Sequence, residues 1–335
     1  MDRRNFIKYL GMAGVGAILK PDLATAASQM PEIHLTGTVN VLFDSWSTQV
    51  LDHRAPPKNA YPRNFKRPPL MTQTGHRLAT IFGALKSFGQ TTGVDFNVSF
   101  TNRPITPKQL KDTDVYVSLT RYVNPPHLDS NNTGFSYLPS ELNALQAFVS
   151  EGGRILLHTN HGPMPGSPPG QDDYTKNDSA LASLFGITLL NDFVTLNDYM
   201  VMQVNPDSDS ELNYIANKVH NIVSHDSCII IPPKRFTSIA KLPDKATVFN
   251  ITTGLTIPLS ESTLSPHFSI LVPYGKGQVI VTGNSGMLAD YGSIGQSTGL
   301  IPMENNLMFF LNCISYLAGY RVIPNDGKGP VYCVQ

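Results

Sequence analysis

The sequence is poor in cysteine and tryptophan and carries no excess of charge of either sign. It has 3 cysteines, 1 tryptophan, and 25 basic residues against 25 acidic ones. Cys228, Cys313 and Cys333 form no CxxC pair and no spacing typical of zinc ligands, and nothing in their placement demands a disulfide. Nucleic-acid binding usually needs a clustered basic surface. The balanced charge therefore argues against a nucleic-acid partner.

Long apolar runs and cofactor motifs are absent as well. After residue 27 the sequence has no run of about eighteen apolar residues, the length that a membrane-spanning helix needs. We therefore expect a mature protein that does not span a membrane. The sequence has no signature of an iron–sulfur cluster, haem, flavin or dinucleotide site, so it assigns no cofactor.

The first residues resemble a twin-arginine export signal. Arg3 and Arg4 precede Asn5, Phe6 and an aliphatic residue, and an apolar stretch over 9–19 and a small-residue segment over 24–27 follow. We predict that residues 1–27 are a signal peptide and that the twin-arginine translocase is a partner during export. The mature protein would then be periplasmic or secreted. A short N-terminal helix on a cytoplasmic protein is the alternative.

The remaining chain alternates predicted strands and helices. Apolar runs over 39–43, 114–119 and 154–158 are typical of strands buried on both faces, and helical spacing appears between them. This order predicts a mainly parallel sheet with helices on both faces. Shorter runs after residue 195 and a tight hairpin at 274–277 predict antiparallel strands added to the same sheet. Asp178 is interpreted as a cap of a helix that starts at residue 179.

Several segments, in their order along the chain, resemble the class I glutamine amidotransferase-like superfamily. They are VLFD at 41–44, LPSELNALQAFVSEGGRILLHTNHG at 138–162, YGKGQVIVTGNSGM at 274–287 and ENNLMFFLNCISYLAG at 304–319. Within it they are most similar to an uncharacterised group related to the GIFT domains of gliding and intraflagellar-transport proteins. The resemblance implies a flavodoxin-like three-layer α/β sandwich over 38–320, followed by a tail over 321–335.

The resemblance does not imply glutamine hydrolysis. Amidotransferases of this superfamily carry a nucleophilic cysteine on a sharp turn between a strand and a helix, whereas here the predicted strands continue into Thr120 and Thr159. Domains of the similar group are regarded as ligand-binding or scaffold modules. Since a fold by itself licenses no function, the candidate site must be argued from its residues.

Polar side chains follow the carboxyl ends of the predicted strands, where ligands of open parallel sheets bind. The candidate ligand-binding residues are Asp44, Ser45, Trp46, Arg121, Asn160 and Asn284. They suit a polar ligand such as a sugar or a phosphate, with Arg121 available for bidentate contact to an anion. Trp46 could stack against a sugar ring, or it could pack a long loop against the domain.

Two histidines and a serine suggest chemistry at the same strand ends. His158 and His161 could bind a metal ion with Asp44, although an HxxH pattern outside a helix is weak. The alternative is that His158 is a hydrogen-bonded residue at the edge of the core and His161 a loop residue. Ser285 could be a nucleophile, although Met287 stands where the nucleophile-elbow motif ends in glycine.

The function predicted from the sequence is therefore an exported binding or scaffold protein that recognises a polar ligand, with glycans as one class. The alternative is a periplasmic hydrolase that acts at the crevice around Asp44, His158 and His161, with Ser285 as a further catalytic candidate.

Overall fold

The computed structural model describes nine segments of the chain. They are 37–44, 79–92, 94–101, 104–121, 136–167, 173–262, 266–288, 300–323 and 331–334. The predicted signal peptide with Arg3 and Arg4, and the candidate site residues Ser45 and Trp46, lie outside these segments.

Within these segments the helices are short and the strands numerous. The α-helices are α1 (Ala79–Thr92), α2 (Pro107–Leu110), α3 (Pro139–Ser150), α4 (Thr175–Ser183) and α5 (Asn306–Leu317). The first eight strands are β1 (Gly37–Phe43), β2 (Val94–Phe100), β3 (Val115–Leu119), β4 (Arg154–His158), β5 (Thr188–Leu189), β6 (Asp192–Gln203), β7 (Asn221–Ser227) and β8 (Ile230–Ile231). The other strands are β9 (Thr237–Lys241), β10 (Thr247–Asn250), β11 (Leu255–Pro258), β12 (His267–Tyr274), β13 (Gly277–Thr282), β14 (Tyr320–Ile323) and β15 (Val331–Val334).

The main sheet is parallel over one half and antiparallel over the other. Strands β2, β1, β3, β4 and β13 lie side by side in parallel. The sheet continues through β12, β8 and β5 in antiparallel pairs, and β9 also pairs with β12. The expected mainly parallel sheet with antiparallel additions is confirmed.

Alternate side chains of the central strands enter two separate cores. Val117 of β3 and Leu156 of β4 pack on the face that α1 and α5 cover, whereas Tyr116 and Leu157 pack on the face that α2, α3 and α4 cover. Strands buried on both faces need apolar residues at nearly every position, which explains the continuous apolar runs. The result is the three-layer sandwich expected from the sequence.

The sequence predicted that the later strands extend the main sheet, but not all of them do. Strands β11, β10, β6 and β7 form a separate four-stranded antiparallel sheet. Strand β6 spans 12 residues, longer than the short runs predicted after residue 195, and its register shifts between Thr195 and Met200. That shift breaks the two-residue alternation by which strands are recognised in a sequence. Strands β14 and β15 pair with each other in what the sequence predicted to be a tail.

Helix α5 is buried along most of its length and is held by two asparagines. The Asn306 side-chain amide donates to the carbonyl oxygens of Val223, Met287 and Leu300, and its oxygen accepts from the Val223 amide. The Asn312 amide donates to two more carbonyl oxygens. Such pairing satisfies backbone groups that would be costly to bury alone.

None of the helices in the described segments combines the length and apolar character that a membrane crossing requires.

Candidate functional site

The carboxyl ends of four parallel strands carry the predicted polar residues, as the topology requires. Asp44 follows β1, Arg121 lies two residues after β3, His158 ends β4, and Asn284 follows β13. His158 is the register partner of Leu119 on one side and of Thr282 on the other, so these ends lie at one edge of the sheet. The contacts there form two groups with different properties.

The first group is an ionic network in the interior, formed by Asp44, Arg121 and Glu141. Arg121 Nε donates to Asp44 Oδ2 at 2.8 Å, and its two terminal nitrogens donate to the two Glu141 oxygens at 3.1 and 2.8 Å. The guanidinium carbon lies 3.6 Å from the centre of the Tyr137 ring, a cation–π distance. All three ionic side chains are 0–1% exposed. The bidentate partner of Arg121 is therefore a carboxylate of the protein and not the external anion expected from the sequence.

Further donors satisfy the two carboxylates. Tyr116 donates to Asp44 Oδ2 at 2.9 Å and Thr101 donates to Asp44 Oδ1 at 3.2 Å. Glu141 accepts from the backbone amides of Ile105 and Leu138. Although burial alone would raise it, the pKa of Glu141 is lowered, because Arg121 and these amides stabilise the ionised form. Asp44 thus serves the interior of the domain, not the crevice where the sequence had placed it.

Asp178 connects this network to the end of β4. Its Oδ2 accepts from Thr159 Oγ1 at 2.9 Å and its Oδ1 from the Arg121 amide at 3.4 Å. Asp178 lies inside α4, which begins at Thr175, so it is not the helix cap expected from the sequence. Burial raises its pKa to about 7, although the hydrogen bonds that it accepts act in the opposite direction.

The second group, which we call the edge cluster, consists of Asn160, His161, Asp226 and Asn284. The Asn284 side-chain amide donates to Asp226 Oδ1, to the Asp226 carbonyl oxygen at 2.9 Å and to Asn160 Oδ1 at 3.3 Å. Asn160 Oδ1 also accepts from the His161 amide at 2.9 Å. Predicted residues from β4 and β13 are thus joined to Asp226 of β7, which sequence reasoning missed. Its sequence signal is a carboxylate in the short polar segment 224–227, directly before the apolar run 228–231.

His161 and Asp226 present two hydrogen-bond acceptors to their surroundings. The His161 ring stands edge-to-face with the rings of Tyr174 and Phe193, each 5.0 Å away, and its Nδ1 lies 2.5 Å from the Gly162 carbonyl oxygen. Because a carbonyl oxygen can only accept, the uncharged form of this ring carries its proton on Nδ1, and Nε2 is then an acceptor. Nε2 lies 4.0 Å from Asp226 Oδ2, too far for a direct hydrogen bond. The Asp226 side chain is 22% exposed, against 8% for His161.

His158 and Ser285 are buried beside the edge cluster without ordinary hydrogen bonds. Both are 0% exposed, and neither the His158 ring nitrogens nor Ser285 Oγ has a partner of ordinary geometry among the described residues. The His158 ring centre lies 6.3 Å from that of Phe310. Burial lowers the pKa of His158 to about 4, and the Asn284 backbone acts in the other direction. His158 is therefore a neutral imidazole at neutral pH.

The suggested metal ligands do not form a common site. Asp44 contacts Arg121, the His158 ring contacts Phe310, and His161 faces Asp226. Within the described segments, no group of three or more histidine, cysteine, aspartate or glutamate side chains is arranged to hold a metal ion. The reason is that the Asp44 carboxylate accepts hydrogen bonds in the interior from Arg121, Tyr116 and Thr101.

Comparison with solved structures identifies the fold. The mmIFT52 N-terminal domain matches with a TM-score of 0.52 at 14% identity, over 83% of this chain and 96% of that domain. The chain shares the fold of that domain. A cytoplasmic protein from Salmonella typhimurium LT2 matches at 12% identity over 84% of this chain and 99% of its own, with a TM-score of 0.48.

A ThuA-like protein from Bacteroides uniformis matches at 12% identity over 87% of this chain and 94% of its own, with a TM-score of 0.42. No protein-family model and no curated protein sequence matches the chain. At these identities the matches concern the fold alone, so function rests on the residues of the site.

Proposed function

We propose that the chain is an exported, non-catalytic binding protein that recognises a polyhydroxylated ligand, with glycans as the ligand class. The observation that carries this proposal is the pair of acceptors His161 Nε2 and Asp226 Oδ2, held 4.0 Å apart in the edge cluster. Two acceptors at this separation suit a ligand that brings two donors. Neighbouring hydroxyl groups of a sugar are such donors, one for the imidazole and one for the carboxylate.

The surroundings of the pair support a polar neutral ligand. The Asp226 carboxylate disfavours an anion, because a second negative charge beside it would be repelled. Asn284 fixes Asp226 through its other oxygen, and the rings of Tyr174 and Phe193 fix the His161 ring. Acceptors that are already held in place lose little conformational entropy when a ligand binds.

The cysteines support a role without thioester chemistry. Cys228 and Cys313 are buried free thiols, and burial raises the pKa of both well above its usual value. A nucleophilic cysteine needs a lowered pKa and access to substrate. These two thiols have neither property.

The edge cluster is tested by measuring binding of neutral sugars to matched variants. We expect simple sugars and cell-wall fragments to raise the melting temperature of the folded chain at millimolar concentration. Asp226→Asn and His161→Gln should each weaken binding by about tenfold, the effect of losing one hydrogen bond to a charged or buried acceptor. Asp244→Asn, which changes an exposed carboxylate elsewhere, is the control. No stabilisation by any ligand, or equal binding by all variants, would contradict the proposal.

We also propose that the chain is exported and that it belongs to the superfamily that its sequence segments resemble. Export rests on Arg3 and Arg4 and on the apolar stretch and small-residue segment that follow them. A place in the glutamine amidotransferase-like superfamily, close to the GIFT domains, is supported by the order of the sequence segments together with the shared fold of the mmIFT52 N-terminal domain.

A hydrolase is the second candidate, favoured by His158 and Ser285. A neutral imidazole and a serine hydroxyl lie near the ends of the adjacent strands β4 and β13, and neither has a hydrogen-bond partner of ordinary geometry within the described segments. If they act together, a serine-directed fluorophosphonate should label the folded chain, and Ser285→Ala should abolish labelling. Absence of labelling, or labelling that persists in Ser285→Ala, would exclude Ser285 as the nucleophile.

A further inference from the structure

A cavity of about 390 Å³ lies outside the edge cluster, where β9 and β12 meet the loop that follows β6. Its lining includes Ser238, Lys241, His267 and Phe236 from the strand region and Asp207 and Asp209 from the loop. None of these residues belongs to the edge cluster or was singled out from the sequence. The volume falls within the range of about 300–1,000 Å³ that is usual for small-molecule sites.

The buried wall of the cavity is a serine–histidine pair beside an aromatic ring. Ser238 Oγ lies 3.0 Å from His267 Nδ1, and both residues are buried. The ring of Phe236 stands edge-to-face with His267, with centres 5.0 Å apart. The pKa of His267 is lowered, first by burial and then by the charge of Lys241, so the imidazole is neutral at neutral pH. This wall offers an apolar ring and uncharged hydrogen-bonding groups.

The loop at the rim is held in a fixed shape. Asn205 at φ 58° and Ser208 at φ 53° adopt the left-handed conformation, which is uncommon for residues other than glycine. The Asn205 side chain accepts from the Asp209 amide at 2.8 Å and donates to the Asp209 carbonyl oxygen at 3.0 Å. The Asn205 amide donates to the Ile239 carbonyl oxygen of β9. Strained residues persist only where the surrounding contacts impose them, so the loop is organised before any ligand arrives.

The rim places opposite charges side by side. Lys241 Nζ lies 2.8 Å from Asp207 Oδ1, and the two side chains are 41% and 56% exposed. Asp209 adds a second carboxylate, whose Oδ1 accepts from the Glu211 amide. With one cation, two carboxylates and a neutral imidazole, the cavity does not favour an anion. With one aromatic residue in a mostly polar lining, it does not suit an apolar ligand either.

We propose that this cavity binds one ring of a neutral sugar, as a site separate from the edge cluster. Sugar hydroxyl groups both donate and accept, so neighbouring hydroxyls can donate to Asp207 or Asp209 and accept from Lys241. The C–H face of the ring would lie against Phe236, as apolar sugar faces do on aromatic side chains. Ser238 would take the hydroxyl that points into the cavity.

Isothermal titration calorimetry of the folded chain with glucose, galactose, mannose and N-acetylglucosamine tests the proposal. We expect at least one sugar to bind with a dissociation constant in the millimolar range. Lys241→Met, Asp207→Asn and Ser238→Ala should each weaken that binding by about tenfold, as expected for the loss of one hydrogen bond to a charged or buried group. Lys241 and Asp207 are exposed, so their variants keep the test decisive even if Ser238→Ala fails to fold.

Asp226→Asn separates this site from the edge cluster. Binding that is weakened by the cavity variants and unchanged in Asp226→Asn supports the cavity. Binding that is lost in Asp226→Asn and unchanged in the cavity variants overturns it and leaves the proposed function standing. The absence of heat for every sugar at about 50 mM, or heat with inorganic phosphate alone, also overturns it.

Discussion

Arg121 shows how a residue predicted for binding can instead hold the interior together. It is the largest fully buried side chain among the described residues, and its hydrogen bonds join the end of β1 to the start of α3. Thr120, directly before it, lies at φ 44°, a left-handed conformation that turns the chain at the end of β3. Its Oγ1 donates to the His158 carbonyl oxygen, which secures that turn.

Removal of the buried guanidinium should be strongly destabilising. In Arg121→Met, the Asp44 and Glu141 carboxylates stay buried without their cation, and breaking such a pair costs about 3–5 kcal/mol. The free energy of unfolding in urea measures this loss. Lys241→Met, which breaks an exposed pair, should cost about 1 kcal/mol or less. A similarly small loss for Arg121→Met would show that the network contributes little.

Asp178 should make stability depend on pH. Its pKa is about 7 in the folded chain, against a usual value of 3.8, so the folded state holds a proton that the unfolded state releases. The contribution of Asp178 to stability is therefore present near pH 4 and decreases as the pH rises from about 4 to about 7. Asp178→Asn removes the titrating group.

Comparing the wild type with Asp178→Asn between about pH 4 and pH 7 tests the direction of this change in stability. The free energy of unfolding of the wild type, minus that of Asp178→Asn, should decrease steadily over this interval. His158, whose lowered pKa acts in the opposite direction, is common to both proteins and cancels in the difference. A difference that is flat, or that increases with pH, would contradict the raised pKa.

At the scale of elements, glycines and apolar periodicity made much of the fold predictable. The predicted strand over Arg154–His158 has both bounds correct, because Gly152 and Gly153 stop the preceding helix and the run that follows is apolar. Thr106 likewise caps α2 and Pro107 is its first residue, and both residue types favour the start of a helix. The separate sheet could not be predicted, because its membership depends on pairings between strands distant in sequence. For the same reason, nothing in the sequence joins Arg121 to Glu141 or Asn284 to Asp226.

The hairpin between β12 and β13 gives a prediction at this scale. Gly275 turns the hairpin at φ 56°, and a Cβ atom there would lie 2.7 Å from Ser150 Cα at the end of α3. Gly254 has a similar φ of 68° with nothing within 4 Å of such an atom. Both alanine variants carry the backbone strain, but only Gly275→Ala adds a steric clash, typically worth about 1–3 kcal/mol. Thermal unfolding should therefore show a larger loss for Gly275→Ala, and equal losses would contradict the close packing.

At the scale of the whole molecule, export gives a prediction that is independent of the site. Replacing Arg3 and Arg4 by lysine should keep the protein in the cytoplasm, because the arginine pair is the feature that resembles the export signal. Fractionation of cells that express the full chain measures this. The paired change Arg63→Lys and Arg67→Lys, outside residues 1–27, is the control. Equal export of all three proteins would contradict the signal.

The strand order of the main sheet has a consequence for the time course of synthesis. Strand β4 lies between β3 and β13, and the residues of β13 follow about 120 residues after those of β4 in the chain. At about 5–20 residues per second, a ribosome needs roughly 6–25 s to produce that interval. During this time one edge of β4 has no partner, and such edges can pair with other chains. We therefore expect a nascent chain halted before β13 to depend on chaperones, and the finished chain to escape them.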